Sequence, residues 1–421
     1  MKKNSSFKFF KFFVLSLSLF TAISCSNTTE AKPYLTTNQI ATLNSIRSIP
    51  NTKNEAYEIN YTADYKVNEF IEQITKNRIS KSSDCKMIMK KLIADSSAVV
   101  PLKRLTNSTP GCSSLICKLD NGKPVIGRNY DLDINSNGAV FVIHTAPKNG
   151  YKSVGVADGA QCGLSFKDVI VNNMNKELAL YLPYYTMDGV NEKGFACSIM
   201  VLSEGGCVQD TGKKWLPSTL VVRYLLDNAE SVDNAIELLK NVDFRNDYFV
   251  DLPDVSLLSF HWALTDKTGN KAVIEYVNGE MVVNKFPLDI QYNETDDSMI
   301  LNYPKEEKGF LLSTNFFVSE GFTNTKHDSG RWRYQTLKEK ASANSTPTKD
   351  ELREMMKSVK YLKNDKDYIW ELKQQGKDPE NVKDWDWITI WTDILNTDDL
   401  TLSLWVKEDF EIENDFSINF K

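Results

Sequence analysis

Several signatures are missing from these 421 residues, and each gap removes a class of function. No Cys-x-x-Cys pair occurs, so a dithiol redox centre and a zinc ribbon both lack their ligands. Only three histidines are present, His144, His261 and His327, with no HxH or HxxxH spacing between them. A zinc centre is disfavoured on that ground, and neither a metal nor another cofactor is expected. Past the N-terminus no block of Lys and Arg appears and the formal charge is −6, so nucleic acid is not an expected partner. Long apolar runs are scarce as well. The longest, FFVLSLSLFTAIS, is short for a membrane span and follows Lys2, Lys3, Lys8 and Lys11, the layout of an export signal.

That run ends at Ala22-Ile23-Ser24-Cys25, a box that resembles a lipoprotein signal with Cys25 as the lipidated residue. Ala22 stands where Leu is more usual, so ordinary signal cleavage nearby stays open. Either way the chain is expected to be exported; with Cys25 lipidated it is expected in the cell envelope, in membrane contact through the lipid anchor. Export permits disulfides. Cys162 with Cys207 or with Cys197 is a candidate pair, and buried free thiols are the alternative.

What is present is ample for a large core: 41% of the residues are hydrophobic. Residues 26 to about 36 read as a polar tether. Residues 37–108 read as largely helical, with apolar residues three and four apart in NEFIEQITKNRI and CKMIMKKLIADSSAVV. From Cys112 the pattern turns to strands. SSLICKL and PVIGRNYDL flank an Asn-Gly-Lys hairpin signal, and AVFVIHTAP and SVGVADG follow. ELALYLPYYTMDGVNEKGFACSIMVL reads as two strands about Asn191–Gly194. A helix pair follows in TLVVRYLLDNAESVDNAIELLKNV, its second member capped by Ser231. Strands return in SLLSFHWALTD and KAVIEYVNGEMVVN, a Thr-capped helix spans 348–362, and the tail carries at least two aromatic-rich strands around Asn396–Asp399. Strand runs, then helices, then strand runs, without a repeat, indicate an α+β fold with antiparallel sheets covered by helices.

Within this frame the stretch TPGCSSLICKLDNGKPVIGRNYDLD carries the chemistry. Pro110-Gly111-Cys112 suits self-cleavage: proline restricts the chain and glycine lets a strained carbonyl approach the thiol. The α-amine freed at Cys112 has a reference pKa of ~7.7–8.0 and can serve as the base for its own thiol without a histidine. Taken alone, though, Cys112 reads more readily as a small residue buried at the start of a strand.

The segment CSSLICKLDNGKPVIGRNYD closely resembles the nucleophile region of the N-terminal-nucleophile cysteine hydrolases of linear amides. These comprise the choloylglycine (bile salt) hydrolases, penicillin V acylases, and acid ceramidase with N-acylethanolamine acid amidase. In that pattern an Arg lies sixteen and an Asp nineteen positions after the nucleophile, the places of Arg128 and Asp131. The resemblance implies a four-layer αββα sandwich, with Cys112 as nucleophile and Asp131 holding its amine. Arg128 would lie near the thiol, where its charge lowers the thiol pKa. The likeness extends over most of residues 112–421. MDGVNEKGFACSIMV, the helix pair and HWALTDKTGNKAVIE all follow the family pattern, with His261 expected as a packed strand residue. LLSTNFF implies that the Asn315 side chain helps to form the oxyanion hole, with Asn302 a weaker candidate. GRWRYQTL offers Arg331 and Arg333 for the family's downstream arginine, Arg333 the better placed at a helix start.

One departure is Val201, where bile salt hydrolases carry an asparagine; only its backbone N–H remains for the oxyanion, and bile-salt specificity is weakened. The long segment before Cys112 looks more like the ceramidase and ethanolamide amidase branch. The resulting organisation is a lipoprotein-type signal at 1–25, a tether and helical pro-segment at 26–111, and a catalytic domain at 112–421. The expected activity is hydrolysis of an N-acyl amide with a lipophilic acyl group, such as an N-acylethanolamine or N-acyl amino acid. Bile salt hydrolase, penicillin V acylase, an acyltransferase and a non-catalytic surface lipoprotein that binds through the same fold are the alternatives. Homo-oligomerisation stays open.

Overall fold

The computed structural model describes residues 35–94, 111–133, 138–165, 176–202, 205, 207–245, 259–293, 298–322, 330–360 and 387–420. The signal, Cys25, most of the tether and residues 95–110 before the cleavage site lie outside these residues, as does His327.

Two sheets, the smaller antiparallel and the larger antiparallel except for one parallel pair, face each other and helices cover both outer sides. The helices are α1 (Thr37–Asn44), α2 (Val67–Asn77), α3 (Ser82–Ala94), α4 (Gly159–Cys162), α5 (Val221–Asn228), α6 (Val232–Lys240), α7 (Arg331–Ala343) and α8 (Lys349–Lys357). The larger sheet joins β1 (Arg47–Ser48), β2 (Ala56–Tyr61), β5 (Val140–Thr145), β6 (Ser153–Asp158), β7 (Thr186–Asn191), β8 (Phe195–Leu202), β11 (Ser259–Asp266), β12 (Lys271–Val277) and β13 (Glu280–Asn284), in that spatial order. The second runs β16 (Leu311–Ser313), β3 (Gly111–Lys118), β4 (Pro124–Asp133), β17 (Trp387–Asn396), β18 (Thr401–Val406) and β19 (Asn414–Ser417). Two small pairs complete it: β9 (Lys214–Pro217) with β10 (Val242–Arg245), and β14 (Asp289–Asn293) with β15 (Ser298–Asn302).

The period-two alternation of a strand builds both cores. In β5, Phe141 and Ile143 enter the core beneath α2 and α5, with Phe70 and Leu225. Val140 and Val142 face the other way, into the core that holds Leu404 and Leu115 of the second sheet. That core continues to Tyr334 and Leu337 of α7 and Leu352 and Met356 of α8. The result is the α+β, four-layer arrangement expected.

Two local expectations are corrected. Residues 37–108 are not uniformly helical: Ala56–Tyr61 forms β2 and runs parallel to β5 within the large sheet. Tyr57, Ile59 and Tyr61 recur at period two on one buried face, a six-residue signal between longer helical patterns. ELALYLPYY is a 3₁₀ helix (Lys176–Tyr185) rather than strand, and Pro183 within it has no N–H to give a ladder. The Ser231 cap forms, its side chain accepting from the Asn234 amide. Thr348 and Glu351 form a capping box on α8. Cys162, Cys197 and Cys207 are all buried free thiols, so neither disulfide forms.

Candidate active site

The hairpin β3–β4 sets the site through its register. Cys112 pairs with Tyr130 and Ser114 with Arg128, so Cys112 and Arg128 project from the same side of the sheet, into the layer between the sheets. Ser113 and Asp131 project from the opposite side, towards α7. Arg128 is fully buried. Its Nη2 donates to the Cys112 sulfur at 3.2 Å and to the Ile199 carbonyl of β8 at 2.8 Å. Its Nη1 donates to Asp188 Oδ2 at 2.6 Å.

On the opposite side Arg333, on the first turn of α7, gathers four acceptors. Nη1 donates to the Cys112 carbonyl at 2.7 Å, to Ser113 Oγ at 3.0 Å and to Asp131 Oδ2 at 3.2 Å; Nη2 donates to Asn315 Oδ1 at 3.0 Å. Asn315 reaches the nucleophile because β16 pairs with β3 through Ser313 and Ser114, so two further residues bring position 315 level with Cys112. There its Oδ1 accepts the Cys112 N–H at 2.7 Å, and its Nδ2 donates to the Val201 carbonyl at 2.8 Å. In β8 the carbonyls of Ile199 and Val201 turn away from β11, beyond the last residue that β7 pairs, and the Val201 N–H points the same way.

Burial dominates the electrostatics. It pushes the Cys112 thiol up to about 11; Arg128 and Arg333 oppose the rise, while Asp131 and Asp188 add to it. The Arg128 charge acts on the thiol in the expected direction, lowering it, and desolvation outweighs that charge. Burial likewise raises Asp131 to about 6, against the opposing pull of Arg333 and of the Thr389 hydroxyl, which donates to Asp131 Oδ1 at 2.6 Å.

Comparison with known proteins follows the same residues. Residues 112–303 match the family model described as linear amide C-N hydrolases, choloylglycine hydrolase family. These residues belong to that family. A penicillin V acylase of Pectobacterium atrosepticum is 34% identical over 102 residues, which are 24% of this chain and 27% of that protein, so the chain spans about a quarter of the curated relative it matches. Among solved structures, the conjugated bile acid hydrolase of Clostridium perfringens superposes with a TM-score of 0.45 at 15% identity, covering 73% of this chain and 92% of that one. The N-acylethanolamine-hydrolyzing acid amidase ortholog of Caenorhabditis elegans gives 0.35 at 11% identity over 68% and 93%.

The structure brings Cys112, Arg128, Asp131, Asn315, Arg333 and the Val201 backbone together. It does not bring in Asn302, which is exposed at the end of β15 in the separate β14–β15 pair. Arg331 is half-buried with its guanidinium 6.0 Å from the centre of the Phe316 ring; Arg333 is the arginine on the nucleophile. Asp131 does not accept from the Cys112 nitrogen: that nitrogen is an amide with a single N–H, and Asn315 takes it. His261 is a buried strand residue, Nδ1 2.8 Å from Glu275 Oε1 and Nε2 2.6 Å from the Thr314 carbonyl, so it braces the loop that carries Asn315.

Sequence reasoning missed Asp188, Thr389, Trp391 and Asp393. Asp188 sits in the Asp-Gly-Val-Asn-Glu-Lys-Gly motif, whose family likeness and turn give the aspartate no role of its own. Thr389 and Trp391 owe their places to a register shift between them in β17, where Ile390 is the extra residue. The bulge puts Thr389 opposite Asp131 on the α7 side and Trp391 opposite Tyr130 on the inner side, stacked on its ring at 4.0 Å.

Proposed function

We propose that this chain is a self-processing cysteine amidase that cleaves a linear C–N amide bond. The observation that carries this reading is the bracket around one residue: Arg128 on the Cys112 sulfur, Asn315 on its nitrogen and Arg333 on its carbonyl. In the first step the Cys112 sulfur attacks the Gly111 carbonyl carbon, the Gly111–Cys112 C–N bond breaks, and water hydrolyses the resulting thioester. The freed α-amine of Cys112 then takes the proton of its own thiol. The same sulfur attacks a substrate amide, the amine leaves with a proton, and a second water releases the acid. The second Nδ2 hydrogen of Asn315 and the Val201 N–H stabilise the oxyanion. The preferred substrate is an N-acyl amide with a lipophilic acyl group, such as an N-acylethanolamine or an N-acyl amino acid. This reading places the enzyme in the cell envelope on a lipid attached to Cys25, with residues 26–111 as the pro-segment.

Intact mass and N-terminal sequencing of purified protein, beside Cys112→Ala, test the mechanism. Two chains are expected, the larger beginning at Cys112, against one uncut chain in the variant. A wild-type chain that stays whole from pH 4 to 8 and hydrolyses no amide defeats the reading. A second reading, penicillin V acylase, is favoured by the 34% identity over 102 residues to such an enzyme. A panel of N-acylethanolamines, penicillin V and conjugated bile salts separates the two.

A further inference from the structure

Arg128 faces more negative groups than it can balance. Asp188 reaches it from β7 of one sheet, and Asp393 stands directly opposite it in the β4–β17 ladder of the other. Trp391 Nε1 lies 3.2 Å from Asp188 Oδ2 and 3.1 Å from Asp393 Oδ2, so one indole N–H touches an oxygen of each carboxyl group. Asp188, Asp393 and Trp391 are all completely buried. Among the described residues, the other titratable groups around the pair are Tyr130 on β4, Cys112 on β3 and Cys197 on β8, none of which is a cation.

We propose that Asp188 and Asp393 share one proton and serve as a positioning pair that presents Arg128 with a single negative charge and so leaves the guanidinium able to face the Cys112 sulfur. Three observations converge on this. Asp188 Oδ1 and Asp393 Oδ1 are both buried and meet no donor, although the two carboxyl groups lie within hydrogen-bonding reach of each other. A proton between them satisfies both oxygens at once, whereas the buried Ser198 hydroxyl of β8 can serve Asp188 alone. Two adjacent buried carboxylates against one cation repel each other, and such a pair retains a proton. Burial accordingly raises both acids, Asp393 furthest because the Asp188 charge adds to its desolvation. With both acids ionised, two charges would compete with a thiolate for Arg128. With both neutral, Arg128 would be a buried cation lacking its counter-charge.

What Arg128 is for rests on the proposed function; the shared proton does not, and its test needs no substrate. Infrared difference spectra at pH 7 in water and deuterium oxide, on the purified full chain, read protonated carboxyl groups directly. Subtracting Asp393→Asn from wild type is expected to reveal a protonated C=O stretch that shifts on deuteration. The same band is expected to vanish in Asp188→Asn, because the remaining acid then ionises against Arg128. A wild-type spectrum without the band overturns the proposal. So does a band that persists in Asp188→Asn, since Asp393 would then be neutral through burial alone. Circular dichroism checks that each Asn variant is folded; should Asp393→Asn fail that check, the wild type minus Asp188→Asn spectrum carries the test. The positioning role is read from self-cleavage: the double Asn variant should cut at least tenfold more slowly than either single variant. Equal rates remove that role, whereas an uncut wild-type chain with the band present counts against the proposed function alone.

Discussion

Replacing Arg128 by Met should separate what this residue does for stability from what it does for the nucleophile. Its Nη1 is 2.6 Å from Asp188 Oδ2 with both side chains fully buried. Removing one member of a buried ion pair typically costs about 3–5 kcal/mol, because the survivor is left charged in a dry site. Removing both members leaves no orphan, so Arg128→Met with Asp188→Asn should regain at least ~2 kcal/mol of that loss. Activity should not return with it. At 3.2 Å, and at an effective dielectric near 20, a unit charge beside the Cys112 sulfur contributes a ceiling of ~5 kcal/mol to the thiolate. Asp188 cancels much of this, so a loss of at least ~1.4 kcal/mol, or tenfold in cleavage rate, is the conservative expectation. Urea unfolding in a Cys112→Ala background gives the stabilities without interference from processing. Intact mass against time, with Cys112 present, gives the cleavage rates. Wild-type cleavage by Arg128→Met would refute the role given to the guanidinium. A double variant no more stable than the single one would refute the ion-pair argument.

Two other outcomes follow from named groups. Asp131 is raised from 3.8 to about 6, so between these values the native state holds a proton that the unfolded chain has released. Stability from this group is therefore fully present below 3.8 and lost as pH rises through about 6, the 2.2 units (6 − 3.8) amounting to ~3 kcal/mol. Urea midpoints at pH 4 and pH 7 should show that slope in the Cys112→Ala chain and its loss when Asp131→Asn is added. Thr348→Ala removes the capping box of α8, at the exposed end of a helix far from Cys112 in the ladder, and should cost about 1 kcal/mol in urea melts while leaving self-cleavage unchanged.

Much of the site was legible because its first half is local. Cys112, Arg128 and Asp131 lie on one hairpin, and their spacing across an Asn-Gly turn fixes which of them share a face. Asn315 and Arg333 are legible only through family likeness, since nothing near them in sequence points to a cysteine two hundred residues earlier. Choosing between Arg331 and Arg333 requires the phase of α7 against the sheet: two residues are about 200° of helix, so only one of the pair can reach β3. Asp188 and Asp393 were invisible for a different reason. Each sits in an ordinary strand pattern, and its role comes from the facing of two sheets and from an extra residue at Ile390 that no periodicity announces. Strand β2 was hidden by its neighbours, six residues of period two between helices on either side.

The uncut chain also explains why Asp131 stands off from the nucleophile's nitrogen. An amide has one N–H, and β3 directs that of Cys112 towards β16, where Asn315 accepts it. Asp131 meanwhile is held by Thr389 and Arg333, on the face of the sheet opposite the sulfur. Cleavage would change the donor count and not the acceptors: a protonated amine has three N–H groups in place of one. One can keep Asn315, and the others are free to turn towards the Asp131 carboxylate, which shares Arg333 Nη1 with the Cys112 carbonyl. The added positive charge would act on Asp131 and the thiol together, lowering both from the levels that burial imposes in the uncut chain. On the proposed function, the cut that makes the base would also favour ionisation of its partners, so a protonation state would restrain the uncut chain. Titration of Asp131 by carboxyl NMR, in the Cys112→Ala chain and in a chain expressed to begin at Cys112, should place it clearly lower in the second. An unchanged value would mean that the amine does not reach the carboxylate and that Asn315 alone orients the nucleophile.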